Sequence, residues 1–344
     1  MNHKIALITG VTGQDGSFLS EFLIDKGYEV HGLIRHSSAD IRRRISHLEG
    51  MPNFHLHFAD MGDTMALARV ISNVKPTEIY NLASFSDYNA SYQNPISAFN
   101  TDGTGIMRML QSLEIFGLQY SCRTFHACSS EIYNKKVVAE SNENVSYNPL
   151  SPLAASKLYG YEIVRDFRNT KGMYCCSGVL FPHESERSNS TSLFLSIIKS
   201  AIDISKGSKQ KLLVKSLGEK YDWGYARDYV ECMWLMLQQP KPEDCIIATK
   251  KLHTLRELCI LSFKKMGIEL VFSGIGKNEK GIDASTGKVI VEICVDSERQ
   301  CNSIVQNNAE PLPKLLEGWE AKVGFEELVN IVCERVQKVE NKII

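Results

Sequence analysis

The first half of the chain alternates between two hydrophobic periods. "KIALITG" is a short apolar run closed by glycine, the pattern of a buried parallel strand. "SFLSEFLIDKG" follows with apolar residues at helical spacing and Gly27 as its stop. "YEVHGLIR" and "FHLHFAD" read as the second and third strands, "TMALARVISNV" as a helix and "EIYNLAS" as the fourth strand. "ISAFNTDGTGIMRMLQSLEIFG" reads as one long helix, although it holds two glycines. "RTFHACSS" is a fifth strand, "PLAASKLYGYEIVRDFRNT" a helix and "MYCCSGVLF" a sixth strand. This alternation predicts an α/β fold with a doubly wound parallel sheet.

Beyond about residue 182 the regularity weakens. "TSLFLSIIKSAIDISKG", "DWGYARDYVECMWLMLQQP" and "FEELVNIVCERVQKVENK" carry helical patterns, while the polar, glycine-containing "KNEKGIDASTGK" reads as a loop. The expected division is a dinucleotide-binding Rossmann domain over 1–182 and a smaller substrate lobe over 183–340. Some elements of that lobe return to the first domain, and it is expected over the carboxyl edge of the sheet.

Composition narrows the class only a little. The 344 residues are 43% hydrophobic and 23% charged, with a net charge of −1. Those values suit a globular protein and give no sign of nucleic acid or an acidic membrane as a partner. The chain starts directly on a strand pattern, and no apolar run reaches the ~20 residues of a membrane span. A soluble cytosolic protein is expected. The ten cysteines form no C-x-x-C pair, and no metal is expected from their spacing. Cys175 and Cys176 read as small buried hydrophobes in a reducing compartment.

Candidate chemistry begins at "TGVTGQDG". Gly10, Gly13 and Gly16 lie between the first strand and the first helix. Glycines there permit a tight turn and close backbone approach to a pyrophosphate, and the helix N-terminus supplies N–H donors. Thr12, Gln14 and Asp15 belong to the same turn. Arg35 ends the second strand where an acid would hold the ribose 2′-hydroxyl of NAD; arginine, with Ser37 and Ser38 behind it, suits the 2′-phosphate of NADP. Asp60 and Met61 end the third strand near the expected adenine. Leu82, Ala83 and Ser86 follow the fourth, beside the expected cofactor.

Across "TGVTGQDGSFLSEFLIDKGYEVHGLIR", "KPTEIYNLAS", "YNPLSPLAASKLYGYEIV", "LFPHESER", "DWGYARDYVECMWLMLQ" and "IATKKLHTLRELC", in that order, the chain resembles the GDP-mannose 4,6-dehydratase family of extended short-chain dehydrogenases. The likeness is close over roughly 1–260 and looser over 261–340. It implies bound NADP, a GDP-mannose-like nucleotide sugar and an internal redox cycle. In that cycle a tyrosine, tuned by a lysine, takes the sugar 4-hydroxyl proton as hydride leaves; a glutamate takes the C5 proton, and a threonine polarises the hydroxyl. Carried over by motif, the threonine falls on Ser129, the glutamate on Glu131 and the lysine on Lys157. The tyrosine, four residues before the lysine, falls on Leu153, which neither accepts nor donates a proton. Tyr159 and Tyr161 lie beyond Lys157, and Tyr147 precedes the helix.

Other departures gather on the substrate side. The family's substrate-holding asparagine is Pro182. Its arginines are Ser188, Leu195 and Tyr221, a tyrosine beside its cofactor is Ser97, and a histidine is Asp87. Near the C-terminus Arg299 remains, but the acid that pairs with guanine is Asn302. His183 matches a cofactor contact, and Glu184, Arg187 and Arg299 are the retained substrate candidates; the reading of Glu184 from its residue type is a hydrogen-bonded structural acid. "DIRRR", Arg42 to Arg44, reads as a solvated loop, which in the family reaches a neighbouring subunit. Trp223 and Trp234 read as core. The resemblance implies a homodimer or homotetramer, with the "PLAASKLYGYEIV" helix offering an apolar face. Leu153 and the lost arginines favour a pseudoenzyme, a structural or regulatory scaffold that keeps the cofactor half. The alternative is a divergent active dehydratase, favoured by joint survival of Ser129, Glu131 and Lys157, a set with little structural reason to persist together.

Overall fold

The computed structural model describes residues 4–37, 41–85, 88–133, 144–145, 147–189, 191–294, 310–311 and 314–340. The chain divides into two compact units. One comprises Met1–Phe181, Ala226–Ala248 and Gln306–Glu320, the other Pro182–Tyr225, Thr249–Val305 and Ala321–Ile344.

The first unit is built on strands β1 (Ile5–Thr9), β2 (Glu29–Ile34), β3 (Phe54–Phe58), β4 (Glu78–Asn81), β5 (Arg123–Ser129), β6 (Cys175–Leu180) and β7 (Cys245–Ile247). They form one seven-stranded sheet in the order β7-β6-β5-β4-β1-β2-β3, and every pairing is parallel. This is the doubly wound sheet that the alternation predicts. The order reverses between β1 and β4, the switch point at which open α/β sheets bind ligands beyond the strands' carboxyl ends. Its helices are α1 (Gln14–Asp25), α2 (Thr64–Val74), α3 (Thr104–Ile115), α4 (Pro152–Lys171) and α5 (Ala226–Gln238).

Helices α2, α3 and α4 bury their apolar stripes with Leu7, Leu33 and Ile79 of the sheet, in a core that includes Leu67, Ile71, Met109, Leu110 and Val164. Elsewhere Phe22 of α1 meets Trp234 of α5 edge-on, ring centroids 5.7 Å apart, and the indole donates to Tyr28 Oη. Local signals set the ends of α4. Ser151 Oγ accepts from Ala154 N at 3.0 Å, Pro152 opens the first turn, and Gly172 closes the helix at φ +64°. Arg168 near its end makes a two-armed pair with Asp244, at 2.7 and 2.6 Å.

The long helix expected over 96–117 is formed as one contiguous helical run, Pro95–Ile115, with a π-helical turn inside it. A helical turn at Pro95–Ala98 runs into a π-helical turn at Phe99–Gly103 before α3 begins. Two close approaches accompany the π turn. A Cβ on Gly105 would meet Met61 Cε at 2.8 Å, and one on Gly103 would meet the Phe99 ring at 3.0 Å. The glycines thus mark a π turn within the helix and not its end, and Asp102 in that turn is fully buried.

The second unit packs helices Leu193–Ser205, Leu255–Lys265 and Phe325–Glu340 on a four-stranded sheet. Its core holds Phe194, Ile198, Trp223, Leu258, Phe263 and Val332. The expected loop 277–288 contains a strand here. Lys280–Asp283 pairs with Leu270–Ser273 on one side and Val289–Ile293 on the other. Asp283 fixes the turn after it, accepting from Ser285 N, Ser285 Oγ and Thr286 Oγ1 at 2.7–2.9 Å. Neighbouring strands supply the ladder that a polar, glycine-containing sequence does not announce.

Among the described residues no helix is long and apolar enough to cross a membrane. Among the nine described cysteines eight are buried, as their apolar settings predict.

Candidate functional site

The glycine turn joins β1 to α1. Gly10 sits at φ +68°, and a Cβ there would lie 2.8 Å from the Leu82 carbonyl and from Ala83 N, so only glycine lets the turn rest on the segment after β4. Gly13 N donates to Gly10 O at 2.9 Å. Gly16 is buried and its Cβ would run into the Gly10 carbonyl. Gly13 is the N-cap of α1 and brings no side chain, which leaves the helix's positive end open to an anion. Thr12, Gln14 and Asp15 are half-buried around this turn.

Arg35 and Ser37 are exposed just beyond β2, and Arg44 Nη1 reaches Thr12 O at 3.4 Å. Asp60 Oδ1 accepts from Gly62 N at 2.8 Å, while Met61 is buried against α3 with its carbonyl held by Arg108 at 3.1 Å. Thus Gly10, Thr12, Gly13, Gln14, Asp15, Gly16, Leu82 and Ala83 surround the carboxyl ends of β1 and β4, and Arg35, Asp60 and Met61 those of β2 and β3. Ser38, Ser86 and Arg299 lie outside the described residues, as do Asp87 and Asn302.

A buried polar chain ties β1, β4 and β5 together. Ala83 N donates to Thr9 Oγ1 at 2.9 Å, Thr9 Oγ1 to Asn81 Oδ1 at 2.7 Å, and Asn81 Nδ2 meets His126 Nδ1 at 3.0 Å. The other ring nitrogen of His126 is buried without a hydrogen-bond partner, against Gly160 of α4. Burial first, and the Lys157 charge second, push the imidazole down to about 3 from 6.5. His126 is therefore neutral in the folded protein. Because the unfolded chain takes up a proton near 6.5, stability falls as pH drops from 6.5 toward 3, by at most about 1.4 kcal/mol per pH unit. His126→Gln is expected to flatten that acid limb in urea titrations at pH 7, 6 and 5.

Ser129 ends β5, and Glu131 lies in the 3-10 turn that follows, its backbone N–H donating to Ser129 Oγ at 3.2 Å. Lys157, on α4, reaches back to the same strand, donating from Nζ to Ala127 O at 3.0 Å. Its Nζ also stands 2.9 Å from Asp102 Oδ1, as an ion pair whose angle falls outside hydrogen-bond geometry. Asp102 Oδ2 accepts from Phe85 N at 2.9 Å. Ser129, Glu131 and Lys157 are thus gathered at the end of β5. Asp102 was not among the expected site residues; the signal that could have found it is an acid followed by two glycines in an otherwise apolar helical pattern, "TDGTG".

The ion pair corrects one expectation. Lys157 has a structural reason to persist, because its removal leaves a carboxylate buried and uncompensated. Leu153 lies one helical turn ahead of Lys157 and is buried, 8% exposed. The nearby tyrosines are engaged elsewhere. Tyr159 donates to Met107 Sδ at 3.7 Å and packs its ring on Phe99. Tyr147 lies between Tyr133 and Tyr161, ring centroids 5.2 and 6.0 Å away, and burial pushes the Tyr133 and Tyr161 hydroxyls far above the ordinary phenol range.

Within the second unit, His183–Glu184 forms a short strand beside Gly224–Tyr225. Glu184 accepts from the hydroxyls of Ser188 and Ser192, the latter at 2.7 Å, in agreement with its reading as a hydrogen-bonded structural acid. Arg187 N donates to Ser185 Oγ at 2.9 Å. Leu195 belongs to the buried core, and Tyr221 stacks on Trp223 with centroids 4.8 Å apart. Two positions where the resemblance leads one to expect arginine are therefore part of, or packed on, an apolar core.

A family model described as GDP-mannose 4,6 dehydratase matches residues 7–332. The GDP-mannose 4,6 dehydratase of Cricetulus griseus is 40% identical over 333 residues, which cover 95% of this chain and 89% of that protein. The Vibrio cholerae enzyme of the same name is 36% identical, over 96% of this chain and 92% of its own. In fold, the chain is similar to dTDP-glucose 4,6-dehydratase from Bacillus anthracis, solved with NAD, at a TM-score of 0.76 with 16% identity and 98% of both chains covered. It is similar also to the Thermus thermophilus UDP-glucose 4-epimerase complex with NAD, at a TM-score of 0.73 with 19% identity, covering 97% and 99%. With a family model spanning nearly its whole length and relatives near two-fifths identity, this chain belongs to the GDP-mannose 4,6-dehydratase family.

Proposed function

We propose that this chain is a dehydratase-family pseudoenzyme, a scaffold that binds NADP and does not complete the dehydration of a GDP-mannose-like nucleotide sugar. The observation that carries the reading is Leu153, a buried aliphatic side chain one turn ahead of Lys157, where the family places its proton acceptor. Loss of a positioned general acid/base removes about 10²–10⁴ in rate. The apolar packing of Leu195 and Tyr221 supports the same reading, since neither supplies the charge that a diphosphate needs.

The dinucleotide half is suited to its ligand. The Gly10–Gly13–Gly16 turn and the open N-terminus of α1 would receive the pyrophosphate, with Thr12, Gln14 and Asp15 around it. Arg35, Ser37 and Ser38 would take the 2′-phosphate, and Asp60 and Met61 the adenine. Leu82, Ala83, Ser86, Lys157 and His183 complete the proposed cofactor set; NADP, when bound, supplies a hydride acceptor. Glu184, Arg187 and Arg299 are the remaining substrate candidates. Arg35→Ala is expected to weaken NADP binding about 10–100-fold and NAD binding far less, the cost of one charge-assisted contact, read by calorimetric titration with each nucleotide. Equal losses for both would remove Arg35 from the 2′-phosphate role.

The chain's proposed role is structural or regulatory, as part of a homodimer or homotetramer in the cytosol. The exposed apolar side chains Tyr92, Ile96, Phe99 and Leu150, near the start of α4, support association between copies. Light scattering that gives the mass of a single chain at all concentrations would reject it. The deciding experiment for the whole reading is turnover of GDP-mannose with NADP, on the native chain and on Leu153→Tyr. Turnover by the native chain would favour instead a divergent dehydratase built around Ser129 and Glu131.

A further inference from the structure

Four metal-ligating side chains converge at the edge of the parallel sheet, on residues without a part in the proposed cofactor or substrate sites. Glu29 and His31 lie on β2, His55 and His57 on the edge strand β3. His31 pairs in register with His55, and Leu33 with His57. With the two-residue repeat of a strand, all four side chains share one face of the sheet. His31 Nε2 and His55 Nε2 each lie 3.2 Å from Glu29 Oε1. The imidazoles of His55 and His57 stack on that of His31, with centroids 4.8 and 5.1 Å away. His31 Nδ1 stands 2.8 Å from His57 Nε2.

We infer that Glu29, His31 and His55 form a binding site for a divalent cation of the zinc class, with His57 as the positioning residue behind His31. The three donor atoms lie within 4.8 Å of one another. Zinc–ligand distances of about 2.0–2.1 Å place neighbouring donors of a tetrahedron about 3.3 Å apart. Two of the three edges, at 3.2 Å, already have that length. Two imidazoles and one carboxylate form a donor set that zinc accepts with a fourth position left for water. A metal-bound histidine needs its second nitrogen held by an acceptor, and His57 Nε2 is placed to take the proton of His31 Nδ1.

Glu29 and His31 stand near the amino ends of their strand, the end away from the glycine turn. The cation would therefore act as a clamp that ties the edge strand β3 to β2, apart from the proposed dinucleotide site. The sequence conceals this site because its ligands are split between two strands, with His31 and His55 24 positions apart and no fixed motif spacing.

The test is titration of the full chain, untagged and stripped by chelator, with Zn²⁺ alone in competition with a chromophoric chelator. The expected result is one Zn²⁺ per chain at micromolar affinity or tighter, and a melting temperature that rises with Zn²⁺. Glu29→Gln and His55→Asn should each weaken binding by 100-fold or more, and His57→Gln by about 10-fold. His55 is 40% exposed, so its variant is expected to fold, which circular dichroism checks. His47→Asn, outside the cluster, should leave binding unchanged. Absence of saturable Zn²⁺ binding overturns the inference. So does one equivalent retained at full affinity in both Glu29→Gln and His55→Asn, because the metal would then belong to thiols or other imidazoles. Neither outcome touches the pseudoenzyme reading, which rests on other residues.

Discussion

Lys157→Ala is expected to lower the unfolding free energy of the first unit by about 3–5 kcal/mol, whether or not the protein has any activity. Asp102 is fully buried and Lys157 nearly so, with side chains 0% and 9% exposed. Removing the ammonium leaves the Asp102 carboxylate facing only Phe85 N, and leaves Ala127 O without its Nζ donor. Both groups are then desolvated with fewer partners than they need. The double variant Asp102→Asn/Lys157→Met should recover a large part of that loss, since an apolar or neutral pair avoids the uncompensated charge. Urea unfolding of the four proteins in this mutant cycle measures it. A loss under about 1 kcal/mol for Lys157→Ala would show that the pair is hydrated as surface pairs are. Lys157 would then again be a residue without a structural reason for its presence.

The second large effect concerns chemistry. The native chain is expected to turn over GDP-mannose far below the ~1 s⁻¹ of ordinary enzymes, and Leu153→Tyr alone is expected not to restore it. A tyrosine at 153 would return the proton acceptor, worth about 10²–10⁴ in rate. It would not supply the charges that the family resemblance leads one to expect at Leu195 and Tyr221. Each lost charge-assisted contact costs about 1.5–3 kcal/mol when its partner is desolvated. Two such losses weaken a substrate by roughly 10²–10⁴-fold. Single-turnover measurements with saturating NADP separate the two effects. Activity in Leu153→Tyr alone would mean that the substrate side still binds and only the base is missing. Activity in the native chain would defeat the pseudoenzyme proposal outright.

Much of the molecule was legible in order of residues. Apolar runs of strand length alternating with helical spacing determine the parallel sheet, because buried strands and one-sided helices leave different periods in a chain. The glycine turn was legible for a similar reason: its position between β1 and α1 and its lack of side chains are both local properties. The absence of a hydroxyl at residue 153 is likewise a fact of sequence. Other features depend on groups far apart in the chain. The π turn at Phe99–Gly103 stands where α4 and Met61 come close to Gly103 and Gly105, and helix propensity carries no record of either. Lys157 reads as a catalytic remnant until Asp102, 55 residues earlier, is seen 2.9 Å from its nitrogen. The strand at Lys280–Asp283 exists because two neighbours offer it a ladder. Glu29, His31, His55 and His57 become one cluster only when β2 and the edge strand β3 come into register. Sequence by itself determined the sheet, the glycine turn and the leucine at 153, since each is written in adjacent residues. Tertiary structure alone decided which buried charges are paired and which side chains can share a ligand, because an interaction between charges or donor atoms depends on distance in space and not on separation along the chain.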